Sequence, residues 1–127
     1  MDIEQTKAYY AGIPREDICG CDWCQNLIDE IKGAYPEAAA YLLSLGVNIE
    51  RPFEVLLPAD PVDGYLTYPI VQYLIVGDSD GFQETQIGDI AIGISDCHPT
   101  ATYQGTHFII DAGVFHLRCR YDKYSFE

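Results

Sequence analysis

A chain of 127 residues with 48% apolar side chains, ten tyrosines and five phenylalanines has the makeup of one globular domain, not of a disordered segment. Seven basic against twenty acidic side chains give a net charge of −13, which repels phosphate backbones and argues against a nucleic-acid partner. No apolar run approaches the ~20 residues of a membrane span, and Met1-Asp-Ile-Glu-Gln-Thr-Lys7 lacks the pattern of a secretory signal, so no membrane association and a cytoplasmic location are expected.

Ile3 to Tyr10 reads as a short helix or an irregular arm, ended by Gly12 and Pro14. Asp22 can cap a helix whose inward stripe is Cys24, Leu27, Ile28 and Ile31, with Asp29 and Glu30 pointing outward. Gly33 and Pro36 punctuate it. Pro36 suits the first turn of a second helix, whose stripe is Ala38, Tyr41, Leu42 and Leu45. Gly46 stands where a left-handed C-terminal cap is wanted.

Beyond residue 53 the period changes to that of strands. Phe53 to Leu57 is a short apolar strand stopped by Pro58, and Asp60-Pro-Val-Asp-Gly64 is a turn cluster. Tyr65 to Val76 is apolar on both faces, which places it near the sheet centre, with a bulge or exposed edge at Pro69. Gly77-Asp-Ser-Asp-Gly81 is expected to be a hairpin loop. Ile90, Ile92 and Ile94 alternate with Ala91, Gly93 and Ser95 in a half-buried strand whose small residues suggest close approach by a neighbouring group, such as a helix. In His107 to Arg120, Phe108 and Ile110 share one parity, and Phe115, Leu117 and Cys119 share the other. The phase changes at Ala112-Gly113, marking a bulge or tight turn. Arg118, Arg120 and Lys123, interleaved with Tyr121 and Tyr124, form a local basic spot that reads as a solvated edge strand. The expected architecture is α+β: two short N-terminal helices packed on an antiparallel sheet of four to six strands. Residues 1–46 and 53–120 share one core in a single domain.

The least random feature is Asp17-Ile-Cys-Gly-Cys-Asp-Trp-Cys24. Sulfurs spaced C-x-C-x-x-C can grip one soft metal ion, form a local disulfide or remain thiols. Cys21 and Cys24 fall on one helical face, and Gly20 lets Cys19 turn toward them. A tetrahedral zinc site needs a fourth ligand, for which His98 is the first candidate and Cys97 its alternative, followed by Cys119, His107 and His116. A redox couple of Cys21 and Cys24 is the rival reading, although thioredoxin-type chemistry wants a strand directly before the motif. Phosphate loops, dinucleotide fingerprints and nucleophile elbows are absent.

The same cysteine run, followed by Tyr35-Pro36 and Leu45-Gly-Val-Asn-Ile-Glu-Arg-Pro-Phe-Glu54, resembles a group of small uncharacterised bacterial proteins, chiefly from Firmicutes. The likeness covers residues 17–54, with a looser echo in Thr106-His-Phe-Ile-Ile-Asp111 and Phe115-His-Leu117. The resemblance implies a bacterial cytoplasmic setting and carries over no catalytic residue. Together these readings point to a small acidic, non-catalytic binding protein whose cysteine cluster holds zinc or simply braces the helix entry. An immunity-type inhibitor that meets a basic toxin by charge complementarity is one subtype.

Overall fold

A computed structural model of the chain describes residues 1–120. Asp2 starts helix α1 (Ile3–Ala11), its side chain accepting the Gln5 N–H at 2.9 Å. Helix α2 (Asp22–Ala34) and helix α3 (Pro36–Ser44) follow, joined at Tyr35. Leu27, Ile31, Ala38 and Leu42 are buried as the stripes require. Gly46 closes α3 at a φ of 87°, its N–H reaching the Leu43 carbonyl while the Val47 N–H reaches that of Leu42. A Cβ there would stand 2.6 Å from the Ile3 carbonyl oxygen, so the left-handed cap also seats α1 against α3.

Seven strands complete the chain: β1 (Glu54–Val55), β2 (Tyr65–Tyr68), β3 (Val71–Val76), β4 (Thr85–Ile87), β5 (Ile90–Ile94), β6 (His107–Gly113) and β7 (Phe115–Arg118). An antiparallel five-stranded sheet has the order β1-β3-β6-β5-β4, and β2 pairs antiparallel with β7 in a second sheet. The fold is therefore α+β with N-terminal helices against the sheets, as the sequence pattern indicates, but with three helices in place of two. One core cluster joins residues of all three helices to Val71, Tyr73 and Ile75 of β3, Ile110 of β6 and Leu117 of β7.

The two sheets are one long strand pair broken in the middle. Tyr68 pairs with Phe115 and Val71 with Ala112, leaving Pro69-Ile70 opposite Gly113-Val114. Pro69 cannot donate to a ladder, and its carbonyl presses on the partner strand: a Cβ on Gly113 would lie 2.2 Å from that oxygen. The interruption at Pro69 and the parity switch at Ala112-Gly113 are thus the same event, seen from two strands. The Asp60–Gly64 cluster ends in a tight turn with Asp63 at φ 53° and Gly64 at φ 81°, closed by paired bonds between Val62 and Tyr65.

Three expectations need correction. Gly77–Gly81 is no hairpin loop, because β3 lies between β1 and β6 while β4 lies at the far edge. The tight hairpin is Gly88-Asp89, between paired Ile87 and Ile90. Gly93 is covered by the Glu84 side chain, whose Cγ would meet an added Cβ at 3.2 Å, and not by a helix. Ile94 at the end of β5 is exposed.

The uncovered lengths of β3 and β7 are closed by groups from the N-terminal helical segment, mostly side chains. On the β3 edge away from β6, the Gln72 carbonyl accepts the Phe53 N–H just before β1 begins, and β1 covers no residue of β3 beyond Gln72. The Tyr10 hydroxyl then donates to the Leu74 carbonyl at 2.8 Å and accepts the Leu74 N–H at 3.0 Å. Thr6 Oγ1 accepts the Val76 N–H at 3.0 Å, and the Asp2 N–H donates to the Val76 carbonyl at 2.7 Å. The β7 edge repeats the device. The Tyr35 hydroxyl takes both backbone groups of His116, at 2.9 and 3.3 Å. Buried Asn26 donates to the Arg118 carbonyl at 2.9 Å and accepts the Arg120 N–H at 2.7 Å. An unpaired strand edge is a template for further pairing, and these helices remove it without adding a strand.

Candidate metal centre

Pro14 and a 3-10 turn over Arg15–Asp17 deliver the chain to the cysteines, with no strand before them. The N-cap of α2 is Cys21, one residue earlier than the Asp22 expected from the sequence; Asp22 is the first helical residue. Cys24 is therefore the third helical residue, and a cap side chain naturally leans over that position. Cys19 folds back over the helix start because Gln25 Nε2 donates to its carbonyl at 2.9 Å. From the far side, the Tyr68 hydroxyl donates to the Trp23 carbonyl at 2.6 Å and ties the first turn to β2. Neither Gln25 nor Tyr68 carries a sequence signal for this duty, since each acts through backbone groups set by the tertiary fold.

The sulfurs of Cys19, Cys21 and Cys24 all lie within 4.8 Å of one another, and Cys19 and Cys21 are 3.3 Å apart. Zinc–sulfur bonds of about 2.3 Å in tetrahedral array set sulfurs roughly 3.8 Å apart, so this trio needs only small movements to share one ion. None of the five cysteines is in a disulfide. The three differ electrostatically. The Cys21 backbone N–H, with the Cys24 and Cys21 thiols, holds the Cys19 thiol below its ordinary value, partly opposed by burial and by the charge of Glu54. Burial pushes the Cys24 thiol up, and its two sulfur neighbours add to the shift. A cluster able to bind a metal is thus in place, with two exposed sulfurs and one buried anchor.

The remaining candidates stand apart from this trio. His98 is exposed, its Nδ1 directed at the Pro99 carbonyl at 2.8 Å and its ring edge-on to Phe53. The Cys97 carbonyl accepts from Gln72 Nε2 at 3.0 Å, in a network that also holds Ser95 and Asp111. Cys119 packs, half-buried, against the main core. His107 Nδ1 meets the Gly105 carbonyl, and His116 Nδ1 meets Thr67 Oγ1. Among the described residues, no histidine, carboxylate or further cysteine joins the three sulfurs.

A groove of about 370 Å³ opens beside the sulfurs. Its walls are apolar, including Ile13, Ile18, Phe53, Val55 and Leu57, and its rim carries Asp17, Glu50 and Glu54 against a single Arg51. At the opposite end of α2, Arg120 pairs with Asp29 and, at 3.6 Å, with Glu30. Arg118 belongs to β7, the edge strand that its charge anticipates, whereas Lys123, Tyr121 and Tyr124 lie outside the described residues. Among those residues, no helix is long and apolar enough to cross a membrane. Comparison with protein families, with curated proteins and with solved structures finds no match for this chain.

Proposed function

We propose that the chain is a small acidic, non-catalytic binding protein of the bacterial cytoplasm that holds one zinc ion on Cys19, Cys21 and Cys24. The observation that carries this reading is the convergence of three sulfurs at the start of a buried helix. The ion would supply a rigid cross-link between the incoming loop and α2, because metal-bound thiols are deprotonated and fixed in geometry. His98 remains the proposed fourth ligand. Its ring already rests on Phe53, a wall of the sulfur groove, and Nδ1 is engaged with Pro99, leaving Nε2 to ligate after a swing of the Asp96–Pro99 turn. Cys97 is its alternative.

Elemental analysis of protein purified without added metal should find one zinc per chain. Cys24→Ser should weaken zinc binding by at least ~100-fold, since losing a ligand costs more than losing a supporting partner. His98→Ala, as loss of a ligand, should likewise weaken it by at least ~100-fold, with Cys97→Ser near neutral. Metal-free protein with all three thiols fully alkylatable at native pH would end the reading.

A basic protein partner, of the kind an immunity-type inhibitor neutralises, is supported by the charge of −13. Salt-sensitive association with a basic neighbouring gene product would support it, and salt-independent association would not. A redox couple of Cys21 with Cys24 is disfavoured by the burial of Cys24.

A further inference from the structure

We infer that Cys19 and Cys21, and not Cys21 and Cys24, form a dithiol that reduces small uncharged or cationic disulfides and closes into a Cys19–Cys21 bond. The pair is chosen by position. Both sulfurs are exposed and stand 3.3 Å apart, while Cys24 is buried with 9% of its surface accessible. A disulfide of about 2.05 Å requires those two sulfurs to close by little more than 1 Å. Residues two apart in a chain have Cα atoms within about 7 Å, the upper end of the range a disulfide spans. Gly20 lies between them with nothing within 4 Å of where a Cβ would be, so the loop has room to tighten. A bond across so short a loop is strained, so it closes against an excess of the substrate disulfide and is readily reduced again, the regulatory kind.

The chemistry balances without a further reagent. One sulfur of the pair, as thiolate, attacks a sulfur of the substrate disulfide; the substrate S–S bond breaks and one thiolate leaves. The second sulfur of the pair then attacks the protein sulfur of the mixed disulfide and expels the other half. Two protein thiols are oxidised, one disulfide is reduced to two thiols, and the two protons pass to the products. The substrate class follows from the surroundings: the apolar walls admit an uncharged body, and Asp17, Glu50 and Glu54 repel anionic ends. The consequence for the ion rests on the zinc reading, because closing this bond removes two of its three sulfur ligands.

The test uses the metal-free full-length chain, treated in turn with cystamine (cationic) and oxidised glutathione (anionic), quenched by alkylation under denaturing conditions. The peptide spanning residues 16–32 should be recovered two hydrogens lighter, with Cys19 joined to Cys21 and Cys24 alkylated. Relative to a small-thiol reference, cystamine should react at least ~10-fold faster than oxidised glutathione at low salt, and the gap should narrow as salt is added. Cys21→Ser should stall as the mixed disulfide on Cys19, whereas Cys24→Ser should still join Cys19 to Cys21. A bond that includes Cys24, or a trio that stays fully alkylatable, overturns the assignment; equal rates for the two disulfides overturn the substrate class. In zinc-loaded protein, bond formation should release the ion to a chromogenic chelator, and retention of the ion overturns the coupling. Failure to take up zinc defeats the metal reading alone, because the bond is mapped on metal-free protein.

Discussion

Above pH 10 the folded state should lose about 3 kcal/mol of stability per pH unit and unfold within two to three units. Tyr10 and Tyr73 are buried, and desolvation raises both phenols above the ordinary value of 10.0. The sign follows from linkage. In the native state the two phenols stay protonated, while in the unfolded chain they ionise near pH 10, so the unfolded state binds fewer protons. Stability is complete below the unfolded value and falls as pH climbs past it, by about 1.4 kcal/mol per unit for each tyrosine. Tyr68, raised by burial in the same way, adds in the same direction. Their hydroxyls are donors, Tyr73 to the Ile49 carbonyl at 2.7 Å and Tyr68 to that of Trp23, so ionisation also deletes the ties they make. Circular dichroism and tyrosinate absorbance followed together against pH should show one cooperative step in both signals. Tyr73→Phe should lower the slope by about 1.4 kcal/mol per unit. A smooth titration of every tyrosine near pH 10 with unchanged circular dichroism would contradict the prediction.

What could be read in advance was what rests on side-chain type at fixed spacing. The α2 and α3 stripes, the Asp63-Gly64 turn, the Gly46 cap and the break at Pro69 are local: a period, a positive φ or a missing N–H marks each one. The cysteine cluster was legible for the same reason, since C-x-C-x-x-C at a helix start brings three sulfurs to one side. What escaped depends on topology. Nothing local says that β3 inserts between β1 and β6, so Gly77–Gly81 resembled a hairpin. Helix α1 could equally be an irregular arm in the sequence because its two buried side chains are Thr6 and Tyr10, which face inward to hydrogen-bond a strand and leave no apolar stripe. The place of His98 escaped because it lies early in the long connection from β5 to β6, whose course no spacing rule fixes.

That same helix supplies the other large effect. Tyr10→Phe should destabilise the protein by ~2–4 kcal/mol, although it removes one oxygen and leaves the ring in place. That oxygen pairs both the N–H and the carbonyl of Leu74, a residue with no exposed surface in the middle of β3. Each orphaned backbone group then bears its desolvation cost of about 1–3 kcal/mol, which no water can relieve at such a depth. Thr6→Val repeats the experiment one turn earlier, leaving the Val76 N–H alone for ~1–3 kcal/mol. Tyr35→Phe is the internal control. It removes the same chemistry from the β7 edge, but His116 is exposed and solvent can take over, so about 1 kcal/mol or less is expected. Denaturant melts should rank the three as Tyr10 > Thr6 > Tyr35. The double variant Thr6→Val/Tyr10→Phe should elute as oligomers at concentrations where the parent is unchanged, since its opened β3 edge invites another strand. If Tyr10→Phe and Tyr35→Phe cost the same, the two hydroxyls are ordinary surface contacts, and α1 is packed on the sheet by its apolar atoms alone.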